Sequence, residues 1–158
     1  MNDCSKAYSQ AIRFLATRAR SIMETEANLK KKGFDSQVIG QTVSTLKQER
    51  LLDDRDFAAL FVESRERFRP RSRFALKYEL RKKGISDDII QETIAGVDDF
   101  DAALRAVKSK LSQWQNLDSE TFKKKVMNHL RNRGFGYEVS ISTYRASLSQ
   151  DHQSEEYR

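Results

Sequence analysis

The chain has 158 residues, 33% of them charged and 38% hydrophobic, with 29 Lys and Arg against 23 Asp and Glu for a net charge of +6. No apolar run approaches the ~18 residues a transmembrane helix needs, and the opening MNDCSKAYSQ lacks the apolar stretch of a secretory signal, so a cytoplasmic protein without a membrane partner is expected. A single cysteine, Cys4, excludes an internal disulfide framework, and with only His129 and His152 beside it a Cys/His zinc site is not expected either.

One proline, Pro70, and six glycines are too few turn residues for an all-β chain. In chain order the helical signals accumulate. Ser21 followed by Glu24 is a capping box. Gly33 stands where a helix C-terminus takes a residue of positive φ. Asp53 and Asp54 precede an apolar face made by Phe57, Ala58, Phe61 and Val62, with early carboxylates suiting the helix dipole. The chain also repeats itself. LKKKGFDSQVI at 29–39 matches LRKKGISDDII at 80–90 and, more loosely, LRNRGFGYEVS at 130–140. The three glycines, Gly33, Gly84 and Gly134, lie 51 and 50 residues apart. After each, Phe34, Ile85 or Phe135 is expected to fold back onto the core.

Each repeat reads as three helices. They are predicted over 5–19, 21–32 and 35–49, then 54–68, 72–83 and 86–95, then 100–114, 119–133 and 137–148. The expected architecture is all-α: three tandem three-helix repeats (1–50, 51–97, 98–148) in an elongated, curved array, followed by a polar, disordered tail over 149–158.

Positive charge is concentrated. From 65 to 83 the cations are Arg65, Arg67, Arg69, Arg71, Arg73, Lys77, Arg81, Lys82 and Lys83. Only Glu66 and Glu79 oppose them, so the stretch carries +7 and the rest of the chain −1. Arg81, Lys82 and Lys83 end a predicted helix, where cations are favoured by about 0.3–1 kcal/mol each. The same holds for Lys30–Lys32 and for Arg131 and Arg133, and for all of these binding and the dipole explain the charge equally well. Arg67, Arg69, Arg71 and Arg73 surround Pro70 at the start of the next helix, where the dipole disfavours them. Guanidinium groups there point to a polyanion or an acidic protein surface. Lys123, Lys124 and Lys125 form a second candidate patch, readable equally as a solvated face opposite Phe122, Val126 and Leu130. Phe68, Phe74 and Tyr78 interleave with the arginines. Stacking on bases is one reading, and helical spacing favours core packing over it.

Other signals carry no chemistry. There is no phosphate-binding G-x-x-x-x-G-K-[ST] loop. Asp53/Asp54, Asp87/Asp88 and Asp98/Asp99 read as helix caps rather than Mg²⁺ ligands. His129 and Trp114 read as structural, and Cys4 has no activating base nearby. No catalytic residue, cofactor or metal is expected.

Over about 11–148 the chain resembles the RecX family, regulators of the bacterial recombinase RecA. The most specific part is Leu51-Leu52-Asp53-Asp54-Arg55-Asp56-Phe57-Ala58, continuing to Phe61-Val62 and Arg65. Glu79-Leu80-Arg81-Lys82-Lys83-Gly84-Ile85 comes next, then Ser21-x-x-Glu24 through Leu29 to Lys32-Gly33-Phe34. Thr25 departs from the usual leucine, as does the segment Arg69-Pro70-Arg71-Ser72-Arg73-Phe74 from the usual start of that helix. The resemblance implies a non-enzyme that binds RecA filaments on DNA and suppresses ATP hydrolysis and strand exchange. The expected partners are a RecA-type recombinase filament and single- or double-stranded DNA, with no small-molecule substrate, and the protein is expected to be a monomer. The alternative is a DNA-binding helical-repeat protein that acts by competing for DNA. A scaffold for another protein is a third reading.

Overall fold

A computed structural model describes residues 2–155. Among these residues there are ten helices and no strand: α1 (Asp3–Thr17), α2 (Ile22–Lys31), α3 (Ser36–Gln48), α4 (Asp54–Phe68), α5 (Arg73–Lys82), α6 (Asp87–Ile94), α7 (Asp99–Lys108), α8 (Leu111–Trp114), α9 (Ser119–Asn132) and α10 (Tyr137–Glu155). The all-α class and the three-helix repeats match the sequence reading. The repeats are α1–α3, α4–α6, and α7 with α9 and α10, to which α8 is an addition.

The three repeat glycines end α2, α5 and α9 in one way. Their φ values are 93°, 78° and 87° for Gly33, Gly84 and Gly134. The next residue donates its N–H to a carbonyl five back: Phe34 to Leu29 at 3.2 Å, Ile85 to Leu80 at 3.1 Å and Phe135 to Leu130 at 3.1 Å. Each glycine N–H bonds three back, which completes a Schellman cap. α3 ends in the same bond pattern, Leu51 N–H to the Leu46 carbonyl at 2.9 Å, but with Arg50 in the left-handed position at φ 59°. A side chain there costs about 1 kcal/mol that glycine avoids. Arg50→Gly is therefore expected to raise stability by about 0.5–1 kcal/mol, read as a higher urea midpoint with an unchanged slope.

Contacts divide the described residues into two compact units: 2–61 with 79–93, and 62–78 with 94–155. In the first, Ala7, Ala11, Leu29, Val43, Leu46 and Leu52 form a core that Phe34 and Ile39 flank. In the second, the alanine face of α7 (Ala102, Ala103, Ala106) lets Phe122, Val126, Leu130 and Phe135 approach closely. α10 presents polar residues to its buried side: Ser140, Thr143 and Ser147. Thr143 and Ser147 satisfy their hydroxyls on carbonyls four residues back, Val139 at 2.7 Å and Thr143 at 2.8 Å.

Three expectations are corrected. The helix foreseen over 100–114 breaks after Lys108, because Ser109 turns its hydroxyl onto the Ala106 carbonyl at 2.9 Å. The single turn α8 then sets Leu111 and Trp114 against the core. α10 continues past Leu148 to Glu155, with no glycine or proline to stop it. Residues 156–158 of the expected tail lie outside the described residues. Finally, Phe68, Phe74 and Tyr78 are not core. They are 72%, 76% and 56% exposed. α5 carries two apolar stripes, Leu76/Leu80 and Phe74/Tyr78, and the first is the buried one.

Candidate basic and aromatic interface

The segment between α4 and α5 is built by local rules and then pinned from outside. α4 closes with Arg69 N–H on the Arg65 carbonyl at 2.8 Å, and Pro70 cannot extend it. Ser72 then caps α5, its Oγ accepting from Ala75 N–H at 3.0 Å. In the first repeat the equivalent Ser21 has a full capping box, with Glu24 taking the Ser21 N–H at 3.0 Å. Ala75 stands at the Glu24 position, so Ser72 N–H goes instead to the Arg133 carbonyl at the end of α9, at 3.2 Å. The next N–H, on Arg73, is taken by Asp99 Oδ1 of α7 at 2.8 Å. Asp54 does the same for Ile22 at the head of α2, at 2.9 Å. Asp99 thus supplies the negative charge that the N-terminus of α5 favours, while Arg69 and Arg73 nearby are exposed.

The electrostatics follow from this pinning. Arg133 comes close enough to Arg71 and Arg69 that burial, and then repulsion from both, lowers its pKa. Its Nη1 lies 3.0 Å from His129 Nδ1, and His129 Nε2 lies 3.1 Å from the Ala106 carbonyl. The neutral Nε2–H tautomer of His129 satisfies both bonds. Burial first, and Arg133 second, lower the His129 pKa and favour that neutral form. Glu66 does not neutralise the arginines, because Arg105 holds its Oε2 at 2.8 Å. Arg67, Arg69 and Arg73 are exposed; Arg65, Arg71 and Lys77 are half-buried. The Arg67 guanidinium sits 5.4 Å from the Phe68 ring centre.

The remaining candidates are placed differently. Arg81, Lys82 and Lys83 belong to the first unit. Lys83 Nζ lies 2.5 Å from Glu24 Oε1, and Arg81 Nε lies 3.0 Å from Asp87 Oδ1, so both hold helix ends together. Lys123, Lys124 and Lys125 are exposed on α9, opposite the buried Phe122, Val126 and Leu130. Lys123 lies 5.6 Å from the Tyr144 ring and Lys124 pairs with Glu120 at 3.5 Å.

Burial alone would raise the Glu24 pKa, but hydrogen bonds from Arg18, Lys83 and the Ser21 N–H overcome it and hold the value at about 2, against 4.5. A lowered carboxylate stabilises the fold above its unfolded pKa and loses that contribution as pH falls through the folded one. The first unit is therefore expected to lose stability between 4.5 and about 2 through this group. Glu24→Gln should be less stable at neutral pH and show a flatter acid dependence, measured by urea midpoints across that interval.

Models of three RecX domains match the chain in order: the first three-helix domain over residues 7–46, the second over 53–94 and the third over 97–140. The chain belongs to the RecX family. A regulatory protein RecX from Prosthecochloris aestuarii is 38% identical over 136 residues, covering 85% of this chain and 88% of the relative. One from Chlorobaculum tepidum is 36% identical over 147 residues, covering 93% and 91%. The crystal structure of RecX from Lactobacillus salivarius shares the fold with a TM-score of 0.74 over 91% of this chain and 96% of that one, at 20% identity.

Within the RecX frame, the residue that sequence reasoning missed is Arg133. Its place at a helix end leaves a dipole role and a binding role equally open. The repeat spacing puts it where Lys32 and Lys83 stand, one residue before the glycine. Lys83 reaches back to the capping box of the preceding repeat, and that parallel was the available signal. Among the described residues no group of three metal-ligating side chains comes together, and no helix is long and apolar enough to cross a membrane. Two of the three aspartate pairs act as caps, Asp53 and Asp98 on their own helices and Asp54 and Asp99 on α2 and α5, whereas Asp87 of the third pair accepts from Arg81 Nε–H at 3.0 Å.

Proposed function

We propose that this chain is a non-catalytic, cytoplasmic regulator that binds RecA-type recombinase filaments on DNA as a monomer and lowers their ATP hydrolysis and strand exchange. The observation that carries this reading is the ordered match of all three RecX domains, with relatives named as regulatory proteins. The exposed arginines Arg67, Arg69 and Arg73 supply cations for phosphate or for acidic recombinase surface, and Lys123–Lys125 supply a second contact. No bond is made or broken. Binding one filament state better than another moves the equilibrium by the difference in affinity.

The test is ATP hydrolysis by RecA preassembled on single-stranded DNA, titrated with this protein well below one per recombinase. Inhibition at such ratios is the expected result. Inhibition that begins only when the protein saturates the DNA would replace filament binding by competition for DNA. The variant Arg69→Glu/Arg73→Glu should need about tenfold more protein for half-inhibition, with unchanged helix content by circular dichroism. Unchanged potency would remove this loop from the contact.

A further inference from the structure

Each of the later repeats grips the start of the middle helix in the repeat before it. The aspartate that follows the cap of its first helix accepts the first N–H of that middle helix: Asp54 from Ile22 at 2.9 Å and Asp99 from Arg73 at 2.8 Å. The glycine that ends its own middle helix lies flat against the same helix start. A Cβ on Gly84 would fall 2.7 Å from Met23 Cβ, and one on Gly134 would fall 2.6 Å from Ser72 Oγ. In the second repeat the cation before the glycine completes the grip, with Lys83 Nζ 2.5 Å from Glu24 Oε1. The first repeat carries the same set in the same register. Asp3 follows the cap Asn2, whose side chain accepts from Ser5 N–H at 2.8 Å, and Gly33 follows Asp3 by 30 residues, as Gly84 follows Asp54. Here the set is bare. Nothing lies within 4 Å of a Cβ on Gly33, Lys32 is exposed, and the Asp3 side chain is 71% exposed with Lys6 at 3.9 Å.

We propose that Asp3, Lys32 and Gly33 form an open socket for the first turn of a helix in a partner protein, a turn of the kind that Ser21-Ile22-Met23-Glu24 presents to Asp54, Lys83 and Gly84. The three groups set the chemistry of the occupant. Asp3 takes the first helical N–H, an orphan donor at the positive end of the dipole. Gly33 leaves room for an apolar side chain at the second helical position, as Gly84 does for Met23. Lys32 meets a carboxylate at the third, as Lys83 meets Glu24. In the other grip the third position is Ala75, and the cation Arg133 turns to His129 instead. A second copy of this chain does not supply the required turn. Its α2 and α5 starts are already held by Asp54 and Asp99, and α9 opens with Ser119-Glu120-Thr121, which has neither the apolar second residue nor the third carboxylate. The partner is a different protein that exposes a helix start of the form Ser/Thr/Asp, any residue, an apolar residue and Glu.

The test titrates the full chain, labelled with ¹⁵N, with an acetylated peptide of residues 21–32, held helical by a lactam between its exposed Glu26 and Lys30. Amide shifts are expected at Asp3, Cys4, Lys32, Gly33 and Phe34. Lys32→Glu should weaken binding about tenfold, and a peptide carrying Glu24→Lys should restore it by reversing the pair. Gly33→Ala, whose Cβ meets nothing in the free protein, should also weaken binding about tenfold, because that Cβ fills the space the occupant needs. Absence of shifts at these amides, or equal affinity of Lys32→Glu and the parent, would overturn the proposal. So would shifts confined to the neighbourhood of Lys83 and Gly84, because the peptide would then have displaced α2 from its own grip. Shifts at Asp3 and Gly33 that change on dilution without peptide would make a second copy the occupant and overturn the choice of partner. Neither recombinase nor DNA is present, so the outcome is separate from that of the regulatory reading.

Discussion

Gly134→Ala is expected to cost about 3 kcal/mol of folding stability, while Gly33→Ala costs about 1 kcal/mol. Both positions have positive φ, 87° and 93°, so both alanines carry the left-handed backbone penalty. They differ in what surrounds them. A Cβ on Gly33 meets nothing within 4 Å, but one on Gly134 would lie 2.6 Å from Ser72 Oγ and 2.6 Å from Ala75 Cβ. Neither neighbour can swing away: Ala75 is a stub, and Ser72 is held as the cap of α5. The end of α9 must retreat, which weakens the Arg133 carbonyl bond to Ser72 N–H. Urea denaturation followed by circular dichroism should separate the two variants by about 2 kcal/mol. Equal costs would mean that the glycine is needed for its backbone alone.

Phe122→Ala is expected to destabilise by about 3–5 kcal/mol. Phe122 is buried in the core of the second unit. It meets Trp114 edge-on with ring centres 6.5 Å apart and Tyr144 at 6.0 Å. Truncation leaves a cavity between three rings that α8, α9 and α10 cannot all close at once. Phe122→Leu keeps most of the volume and should cost about 1–1.5 kcal/mol, plus the lost ring contacts. Trp114 is the single tryptophan of the chain, so its fluorescence reads this core directly. An alanine variant within 1 kcal/mol of the parent would show that the core collapses onto the space.

Much of the local structure was legible because its causes are local. The Ser21/Glu24 box, the aspartates ahead of α4 and α7, and the glycines after α2, α5 and α9 act through bonds to residues three to five away. The helical repeat follows from apolar spacing and from those glycines. The legible part of the candidate site was its charge: that Arg67, Arg69, Arg71 and Arg73 surround a proline at a helix start is visible in the residues alone.

The aromatic half of the site was not legible. Phe74 and Tyr78 have the same four-residue spacing as Leu76 and Leu80, and spacing identifies faces of a helix without saying which one a neighbour covers. Tertiary packing made that choice when α9 approached α5 over Ser72 and Ala75. Partner choice over long sequence distances was hidden for the same reason. Lys83 with Glu24, Asp54 with Ile22, Asp99 with Arg73 and the Arg133 carbonyl with Ser72 are 59, 32, 26 and 61 residues apart. The sequence by itself determined where helices start, stop and recur, since a cap or a left-handed glycine is decided by its own few neighbours. Only the tertiary structure decided which charges are consumed in holding helix ends together and which remain outward beside exposed rings. That division depends on which helix ends meet, and helix ends meet through the packing of whole faces.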